Sequence, residues 1–500
     1  MRVPPQLVLL LLRVDFSLSG DPSSLQRDIA AAVSSGATSY TVAPGVYNFS
    51  AAGQPATLEI VGATNFSLLS GGDVEFVFPP IGGLRVTHAT DVSLTGPYVF
   101  DAWPPFTTQG VIKAGVRDGK WFNFTLTLDA DYELDPTRFI PSRAIFFDAD
   151  TREFLPNQVL AVTSALAAES IGGGAWKMSV TFSANPTLSV PDGSLCALTP
   201  TPGGPVVMIE NSTGLTVTDL TSHAAPGFTL LEVGGGGGHR YTRFNAVRRE
   251  GSTRLMVSGA DVFHSTAVAV GPIVEDSELS FAADDLFAVH CELGILWRRV
   301  NSTSFYIIDT GGGDYGLSRA RIGDALHFYA LSPTMGRVGA GVLSQVSLVT
   351  NATLVAEAEK AAEYIHDVLH VTLRPFSVTL FLMEFLSPLS LGDYSALVEL
   401  PSQCGAGTTV RNSYLHDTNG GMRLKGSRVT VENVVLERAY GMRMLPELFW
   451  TQSVSSNITL ADNQLRGCGC TALAPHAIEY NADIVGLSLI NNTVTPVNCT

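Results

Sequence analysis

Charged side chains are scarce in this sequence, and most of them are acidic. Only 15% of the 500 residues are charged, and 46 acidic against 30 basic residues give a formal net charge of −16. Such a surface would repel nucleic acid and anionic membranes, and it suits a polyanionic substrate poorly. We therefore expect no nucleic-acid partner, and a neutral glycan fits the charge better than pectate.

Cysteines and long apolar runs are also few. The six cysteines show no repeated metal-ligand spacing, and Cys468 and Cys470 are too close together for a CxxC zinc or redox motif. We expect no metal or other cofactor, and the disulfide pairing stays open because six cysteines allow many connectivities. The most apolar internal stretch, residues 376–391, contains Glu384 and Pro388, so no membrane span is expected.

The N-terminus and the glycosylation sequons indicate export. Residues 1–20 contain a basic residue, an apolar run from Leu7 to Leu12 and small residues near Gly20, as in a short signal peptide. Asn-x-Ser/Thr sequons begin at Asn48, Asn65, Asn123, Asn211, Asn301, Asn351, Asn457, Asn491 and Asn498. We expect secretion or residence in an endomembrane lumen, although Asn at the turns of a β-solenoid also has a backbone role without any glycan.

Short alternating strands recur between turns along much of the chain, and its 48 glycines favour an all-β fold. Residues 23–47 predict an amphipathic helix with serine caps, followed by a strand. Near the C-terminus, TTVRNSYLHDTNGGMRL aligns with VTVENVVLERAYGMRML at offsets of 21 and 20 residues, the length of one solenoid coil. The sequence therefore predicts a right-handed parallel β-helix with inserted β-barrel or sandwich segments.

The predicted organisation places two non-repeating insertions between blocks of coils. The expected segments are residues 1–20 (signal peptide), 21–109 (N-terminal cap and first coils), 110–200 (inserted β domain), 201–296 (coils carrying an Asp cluster), 297–402 (second inserted β domain) and 403–500 (C-terminal coils).

Three aspartates have the spacing of a shared site. Asp261 precedes the adjacent pair Asp284 and Asp285 by 23 and 24 residues (284 − 261 and 285 − 261), about one coil. Equivalent positions on neighbouring coils lie roughly 4.8 Å apart, and an adjacent pair serves one site only at a bend. Glycoside hydrolysis needs a protonated carboxylic acid and a second carboxylate, which this set supplies. The alternative interpretation is an Asx turn at Asp-Asp and an unrelated loop residue at Asp261.

Further side chains are candidates for sugar binding near these aspartates. They are His264, His290, His239, Arg240, Glu447 and Trp450. Imidazoles can contact sugar hydroxyls or orient a carboxylate, and a tryptophan can stack on a sugar face. His239 and Arg240 come after five glycines, which we interpret as a rim loop because the run lacks the Lys-Ser/Thr of a phosphate-binding loop. The alternatives are structural histidines and a core tryptophan.

Four segments together carry a family resemblance: SGADVFHS, GPIVEDSELSFAADDLFAVH, IGDALHFY and GAGTTVRNSYLHDTNGGMRLKGSRVTVENVVLERAYGMRML. From about residue 205 the chain resembles glycoside hydrolase family 110, the α-1,3-galactosidase-like enzymes of the pectin lyase-like superfamily. The resemblance implies inverting, metal-independent removal of terminal α-galactosyl groups, with Asp261, Asp284 and Asp285 as catalytic carboxylates and His290 as the family's following histidine. The chain departs from the pattern at Ala283, where the family has glycine, and at residues 417–419, where basic residues are expected.

These observations predict a secreted glycoside hydrolase acting on galactose-containing or related neutral glycans. One of Asp284 and Asp285 would be the general acid, and Asp261 with the other would activate water. The alternatives are a non-catalytic β-helix that binds glycans at a surface or in a matrix, and a polysaccharide lyase or epimerase on the same fold. The sequence leaves the oligomeric state open.

Overall fold

The computed structural model describes residues 19–118, 121–135, 142–182, 190–200, 203–309, 316–331, 336–369, 378–394, 396–418, 420–445, 455–469, 476–480 and 484–495. Several sequence predictions lie outside these ranges. They are most of the signal peptide, the candidate sugar-binding residues Glu447 and Trp450, and the sequon at Asn498.

The described residues form, in chain order, β1 (Ser19–Gly20), α1 (Pro22–Ser34), β2 (Ser39–Val42), β3 (Gly45–Asn48), β4 (Thr57–Val61), β5 (Thr64–Ser70), β6 (Val74–Phe78), β7 (Gly83–Thr87), β8 (Thr90–Ala102), β9 (Thr108–Asp118), β10 (Trp121–Leu128), β11 (Ser142–Phe147), β12 (Phe154–Gly172), β13 (Ala175–Phe182), β14 (Leu195–Thr199), β15 (Val207–Glu210), β16 (Thr216–Ser222), β17 (Leu230–Val233), β18 (Arg240–Ala246), β19 (Phe263–Thr266), β20 (Ile273–Glu275), β21 (Glu278–Ala282), β22 (Phe287–His290), β23 (Leu293–Arg299), β24 (Ser304–Asp309), β25 (Ala325–Ala330), β26 (Arg337–Leu348), α2 (Ala352–Leu369), β27 (Thr379–Phe385), β28 (Ala396–Glu399), β29 (Thr409–Arg411), β30 (Tyr414–Thr418), β31 (Met422–Leu424), β32 (Thr430–Glu432), β33 (Val435–Glu437), β34 (Met442–Met444), β35 (Thr459–Ala461), β36 (Gln464–Arg466), β37 (Ile478–Tyr480), β38 (Ser488–Ile490) and β39 (Thr493–Thr495).

Parallel strands from successive coils build two long sheets, and the chain is a right-handed parallel β-helix with inserted barrels, as predicted. We call the larger sheet wall A; it contains β16, β18, β20, β21, β29 and β30 among others. Wall B is the sheet of β4, β7, β15, β17, β19, β22, β31, β34 and β37. Apolar side chains from both walls fill the interior in one continuous core.

The register of wall B shows which residues stack on one another from coil to coil. Leu230, Phe263, Phe287, Met422 and Met442 occupy one position in consecutive coils. The predicted equivalence of the two GMR segments is therefore confirmed. Between Phe287 and Met422 the second insertion leaves the β-helix, and the coil then resumes in register.

A bend in wall A explains the recurrence of Asn and Asp in the repeats. One residue per coil adopts a left-handed conformation there, with φ between 49° and 57°: Asp219, Arg243, Asp276, Asn412, Asn433, Asp462 and Asn491. Short polar side chains tolerate this region because they hydrogen-bond locally. The Asn433 side-chain amide, for example, donates to Asn412 Oδ1 at 3.0 Å.

The predicted N-terminal helix covers the first coils. In α1, Leu25 and Ile29 are buried in the β-helix core, and Val33 packs against that core. The cap differs from the serine expected from the sequence, because the Asp21 carboxylate accepts from the backbone N–H groups of Ser23 and Ser24. Asp is as effective at this position as Ser, since either oxygen satisfies free N–H groups of the first turn.

Two closed barrels interrupt the coils. Barrel 1 consists of β9–β14, and barrel 2 consists of β23–β28 and carries α2. A disulfide joins Cys291 to Cys404, 113 residues apart, and these residues flank barrel 2 at the two points where it leaves and re-enters the β-helix.

No helix among the described residues is long and apolar enough to cross a membrane.

Candidate active site

Asp261, Asp284 and Asp285 meet at the corner of the β-helix where wall A turns into wall B. Asp284 and Asp285 lie in the bend between β21 and β22, and Asp261 precedes β19 one coil earlier. One oxygen from each carboxylate lies within 4.8 Å of the others. The predicted convergence is confirmed, because the bend removes the opposite-face arrangement that a regular strand would impose.

Asp261 lies directly over Asp285 in the stack of coils. The backbone N–H of Asp285 donates to Asp261 Oδ1 at 3.3 Å, and the Val262 N–H donates to the Asp285 carbonyl oxygen at 2.9 Å. The inter-coil hydrogen bonds of the backbone thus fix the separation of these two carboxylates.

Asp284 is the carboxylate most open to solvent. Its side chain is 32% exposed, against 7% for Asp261 and 6% for Asp285. Arg143, on β11 of barrel 1, donates from Nη2 to Asp284 Oδ2 and from Nη1 to the Ala283 carbonyl oxygen at 2.6 Å. The Thr418 hydroxyl donates to the Asp284 carbonyl oxygen. Barrel 1 therefore supplies a cation to a site otherwise built by the β-helix.

Asp285 is held from the next coil. Gly421 N–H donates to its Oδ1 at 3.1 Å, and Arg423 Nε lies 2.8 Å from Oδ2. Gly420 leaves room for this carboxylate, because a Cβ at position 420 would come within 2.5 Å of Asp285 Oδ1. Gly420 and the Gly421 of the repeated GMR segment thus serve the site as well as the turn.

The two histidines extend the site inward from Asp261. His264 Nδ1 lies 2.6 Å from Asp261 Oδ2, and His264 Nε2 lies 2.8 Å from His290 Nε2. His290 Nδ1 lies 2.8 Å from the Cys291 carbonyl oxygen, which can only accept, so His290 carries its proton on Nδ1. His264 must then donate to His290 from Nε2.

The carboxylates differ in the pKa that their surroundings impose. Burial raises the pKa of Asp285 to about 7; Arg423 opposes this rise, and the negative charges of Asp284 and Asp261 add to it. Burial also acts on Asp284, but the charges of Arg143 and Arg423 outweigh it and lower the pKa of that carboxyl. As the pH falls through about 7 the pair therefore takes up one proton, and the opposite shifts favour Asp285 as the carboxyl that receives it.

This division suits acid/base chemistry on a sugar. A neutral carboxylic acid beside an ionised carboxylate is the pair that glycoside cleavage requires. The three carboxylate oxygens are also close enough to share a divalent cation. However, the guanidinium groups of Arg143 and Arg423 already contact two of the three carboxylates. Two guanidinium charges at these carboxylates would repel a divalent cation, so the arrangement suits a calcium site poorly.

Two predicted sugar-binding positions lie elsewhere. His239 precedes β18 and Arg240 begins it, at the opposite corner of the coil, where wall B turns into wall A. His239 is 1% exposed, and its Nδ1 accepts from the Leu215 N–H at 2.9 Å. Arg240 pairs with Glu275 on wall A. The prediction of a rim loop at the aspartates is wrong, because the glycine run forms a tight turn between stacked coils.

His264 and His290 do adjoin the aspartates, but they differ in access. The side chain of His264 is 17% exposed, whereas His290 is 2% exposed and lies behind it. Burial lowers the pKa of His290 well below its usual value, with the charge of His264 adding to the effect. His290 is therefore placed to act on His264 and not to contact a sugar directly, which corrects its predicted role.

Arg143 and Arg423 are site residues that the sequence did not reveal. Arg423 has a detectable signal, because it belongs to the repeated GMR segment and its counterpart Arg443 contacts Glu479 one coil later. Arg143 has no such signal in the sequence, because it lies in an insertion and the coil repeat does not predict how that insertion packs against the coils.

Comparison with known proteins finds no matching family model and no matching curated protein. Solved structures give low similarity. The catalytic unit of the GH87 alpha-1,3-glucanase from Streptomyces thermodiastaticus is 11% identical, with a TM-score of 0.33 over 96% of this chain and 58% of that chain. The A-module of a mannuronan C-5 epimerase from Azotobacter vinelandii is 9% identical, with a TM-score of 0.29 over 96% and 95% of the two chains. A polygalacturonase from Erwinia carotovora is 9% identical, with a TM-score of 0.28 over 90% and 89%. This chain thus spans less than two thirds of the glucanase unit, and likeness this low assigns it no activity.

Proposed function

We propose that this protein is a secreted, metal-independent glycoside hydrolase that removes α-linked galactose or a related neutral sugar from glycans. The observation that carries the proposal is the corner at which Asp261, Asp284 and Asp285 place carboxylate oxygens within 4.8 Å of one another. The division of charge between Asp284 and Asp285 supports it, as does the resemblance to α-1,3-galactosidase-like enzymes noted in the sequence.

In the proposed mechanism Asp285 is the general acid, because burial and the two neighbouring carboxylates raise its pKa above that of an ordinary aspartate. Asp284 is ionised and is the most accessible of the three carboxylates, so it acts on the anomeric carbon or on the attacking water. Asp261 is held by His264 and by the Asp285 N–H, and it fixes the position and charge of the pair. Proton transfer by a positioned carboxylic acid contributes about 10²–10⁴-fold to such reactions.

Inversion is the stereochemistry that the resemblance implies, and we retain it in the proposal. The oxygen separations of at most 4.8 Å are nevertheless closer to those of a retaining pair, about 5–5.5 Å, than to the roughly 6.5–9.5 Å of an inverting pair. The first anomer released, monitored by NMR, tests this point. A retained anomer would make Asp284 a nucleophile and overturn inversion while leaving the hydrolase in place.

The experiment compares wild type with Asp284→Asn and Asp285→Asn on aryl α- and β-glycosides with good and poor leaving groups. We expect Asp284→Asn to lose about 10³-fold on every substrate, and Asp285→Asn to lose as much only on poor leaving groups, which need protonation. Asp276→Asn, at the exposed bend of the same coil, is the matched control and should retain activity. Wild-type activity should decline as the pH rises through about 7, where Asp285 loses its proton.

Two other functions predict different results. A glycan-binding solenoid would show no turnover on any substrate, with binding unchanged by either substitution. A lyase or epimerase would yield unsaturated or epimerised products and would depend on calcium. Product analysis with and without a chelator therefore separates all three functions.

A further inference from the structure

Asp417 is a fully buried carboxylate to which the proposed mechanism gives no role. It lies on β30 of wall A, is 0% exposed, and has a left-handed φ of 55°. Its Oδ1 accepts from the backbone N–H of Phe154 in barrel 1 at 2.8 Å. Arg438 binds both of its oxygens at 2.8 Å, and His416 Nδ1 lies 2.6 Å from Oδ2. A buried charge with this set of partners connects two parts of the fold.

The N–H that Asp417 binds belongs to the hairpin that carries Arg143. Phe154 begins β12 and pairs with Phe147 at the end of β11. Arg143, Ile145 and Phe147 alternate along β11, so they share one face of the strand. Ile145 and Phe147 are buried in an apolar cluster that includes Ala283, the neighbour of Asp284. Arg143 is four residues from Phe147, about 13 Å along an extended strand.

A second contact fastens the same hairpin. The Arg248 guanidinium carbon lies 3.4 Å from the Phe281 ring centroid and 5.3 Å from that of Phe147. Its Nη1 donates to the carbonyl oxygen of Arg152, in the turn of the hairpin, at 2.8 Å. Arg438, which binds Asp417, also lies 3.4 Å from the Glu153 carboxylate in the same turn. The turn end of the hairpin is therefore held to the β-helix by Asp417, Arg248 and Arg438, while its far end delivers Arg143 to the carboxylates.

We propose that Asp417 is a positioning residue that fastens the β11–β12 hairpin of barrel 1 to wall A and thereby keeps Arg143 on Asp284. The inference rests on the proposed function. It also gives a physical role to the departures from the family pattern. Ala283 packs against barrel 1, and Asp417 accepts from a backbone N–H of that barrel. Thr418 donates to the backbone carbonyl oxygen of Asp284. These residues form one interface around Asp284.

The test compares Asp417→Asn with Asp219→Asn. Asp219 is a matched control, because it has the same left-handed conformation, with φ of 57°, and pairs with an arginine one coil ahead, but lies on an exposed surface. Arg248→Met, which removes the second contact, serves where Asp417→Asn fails to fold. Hydrogen exchange of residues 142–147 and the pH profile of kcat are measured on the full chain at a temperature where each variant is folded.

For Asp417→Asn we expect faster hydrogen exchange in residues 142–147 and about a 10-fold or greater loss of kcat. The acid limb of the pH profile should move to higher pH, because the pKa of Asp284 rises when the Arg143 guanidinium no longer contacts it. Adding Asp417→Asn to Arg143→Met should cause no further loss, since both act through one contact. Unchanged exchange in residues 142–147, or an unmoved acid limb despite faster exchange, overturns the inference. A wild type without turnover removes the proposed hydrolase, and the exchange data still decide whether Asp417 fastens the hairpin.

Discussion

The two inserted barrels are built alike but join the β-helix in different ways. Barrel 1 shares an apolar cluster with the coils, in which Ile145 and Phe147 pack with Leu255 and Ala283. The two core clusters of barrel 2 draw only on residues 293–400 among those described. At its base, barrel 2 is tied instead by the Cys291–Cys404 disulfide.

This difference separates a barrel that builds the site from one that is attached beside it. A shared core fixes orientation, because close-packed side chains transmit small displacements. A disulfide limits how far two segments separate but fills no interface. Barrel 1 is accordingly the insertion that places a side chain, Arg143, on the carboxylates. The comparison predicts that changes at barrel 1 affect catalysis first and changes at the base of barrel 2 affect stability first.

The largest expected effect is on stability, from removing the disulfide. Cys291→Ser with Cys404→Ser releases a loop of 113 residues, and the added chain entropy of the unfolded state should lower the free energy of unfolding by about 4 kcal/mol. Thermal unfolding with and without reductant measures this loss, and reductant should not affect the double variant. Glycosidase activity well below the transition should remain. Its loss there would show that barrel 2 also orders the site.

The next effect is on catalysis, from removing the cation that barrel 1 supplies. Arg143→Met should lower kcat by about 10²-fold, the usual cost of one charge-stabilising donor. Arg143 lowers the pKa of Asp284, so its removal raises that pKa, and the acid limb of the pH profile should move upward. Arg319→Met provides the matched change in barrel 2, since Arg319 contacts Asn211 of the β-helix. Equal losses in the two variants would contradict the distinction between the barrels.

Features that the repeat determines could be predicted from the sequence. The spacing of Asp261 from Asp284 and Asp285 equals one coil, and hydrogen bonds between coils turn that spacing into proximity. The Gly-Met-Arg repeat predicted the stacking of Met422 on Met442 for the same reason.

Contacts made by the insertions could not be predicted in this way. Arg143 and Asp417 are 274 residues apart (417 − 143), and the docking of barrel 1 brings their surroundings together. Docking depends on side-chain packing between two surfaces, and the coil repeat in the sequence does not relate the residues of one surface to those of the other. The wrong prediction at Arg240 has a different cause. A glycine run predicts a turn, but it does not show at which corner of the coil that turn lies.

The smallest effect is expected at Arg240, which provides a baseline for both barrels. Arg240 is 44% exposed, and its partner Glu275 also pairs with Arg411. Arg240→Gln should therefore change the free energy of unfolding by no more than about 1 kcal/mol, as for other exposed ion pairs. Because the residue lies at the opposite corner of the coil, KM should match wild type on every glycoside. A raised KM would mean that the glycan reaches the β17–β18 corner, and the site would then extend across wall A instead of ending at the corner where barrel 1 docks.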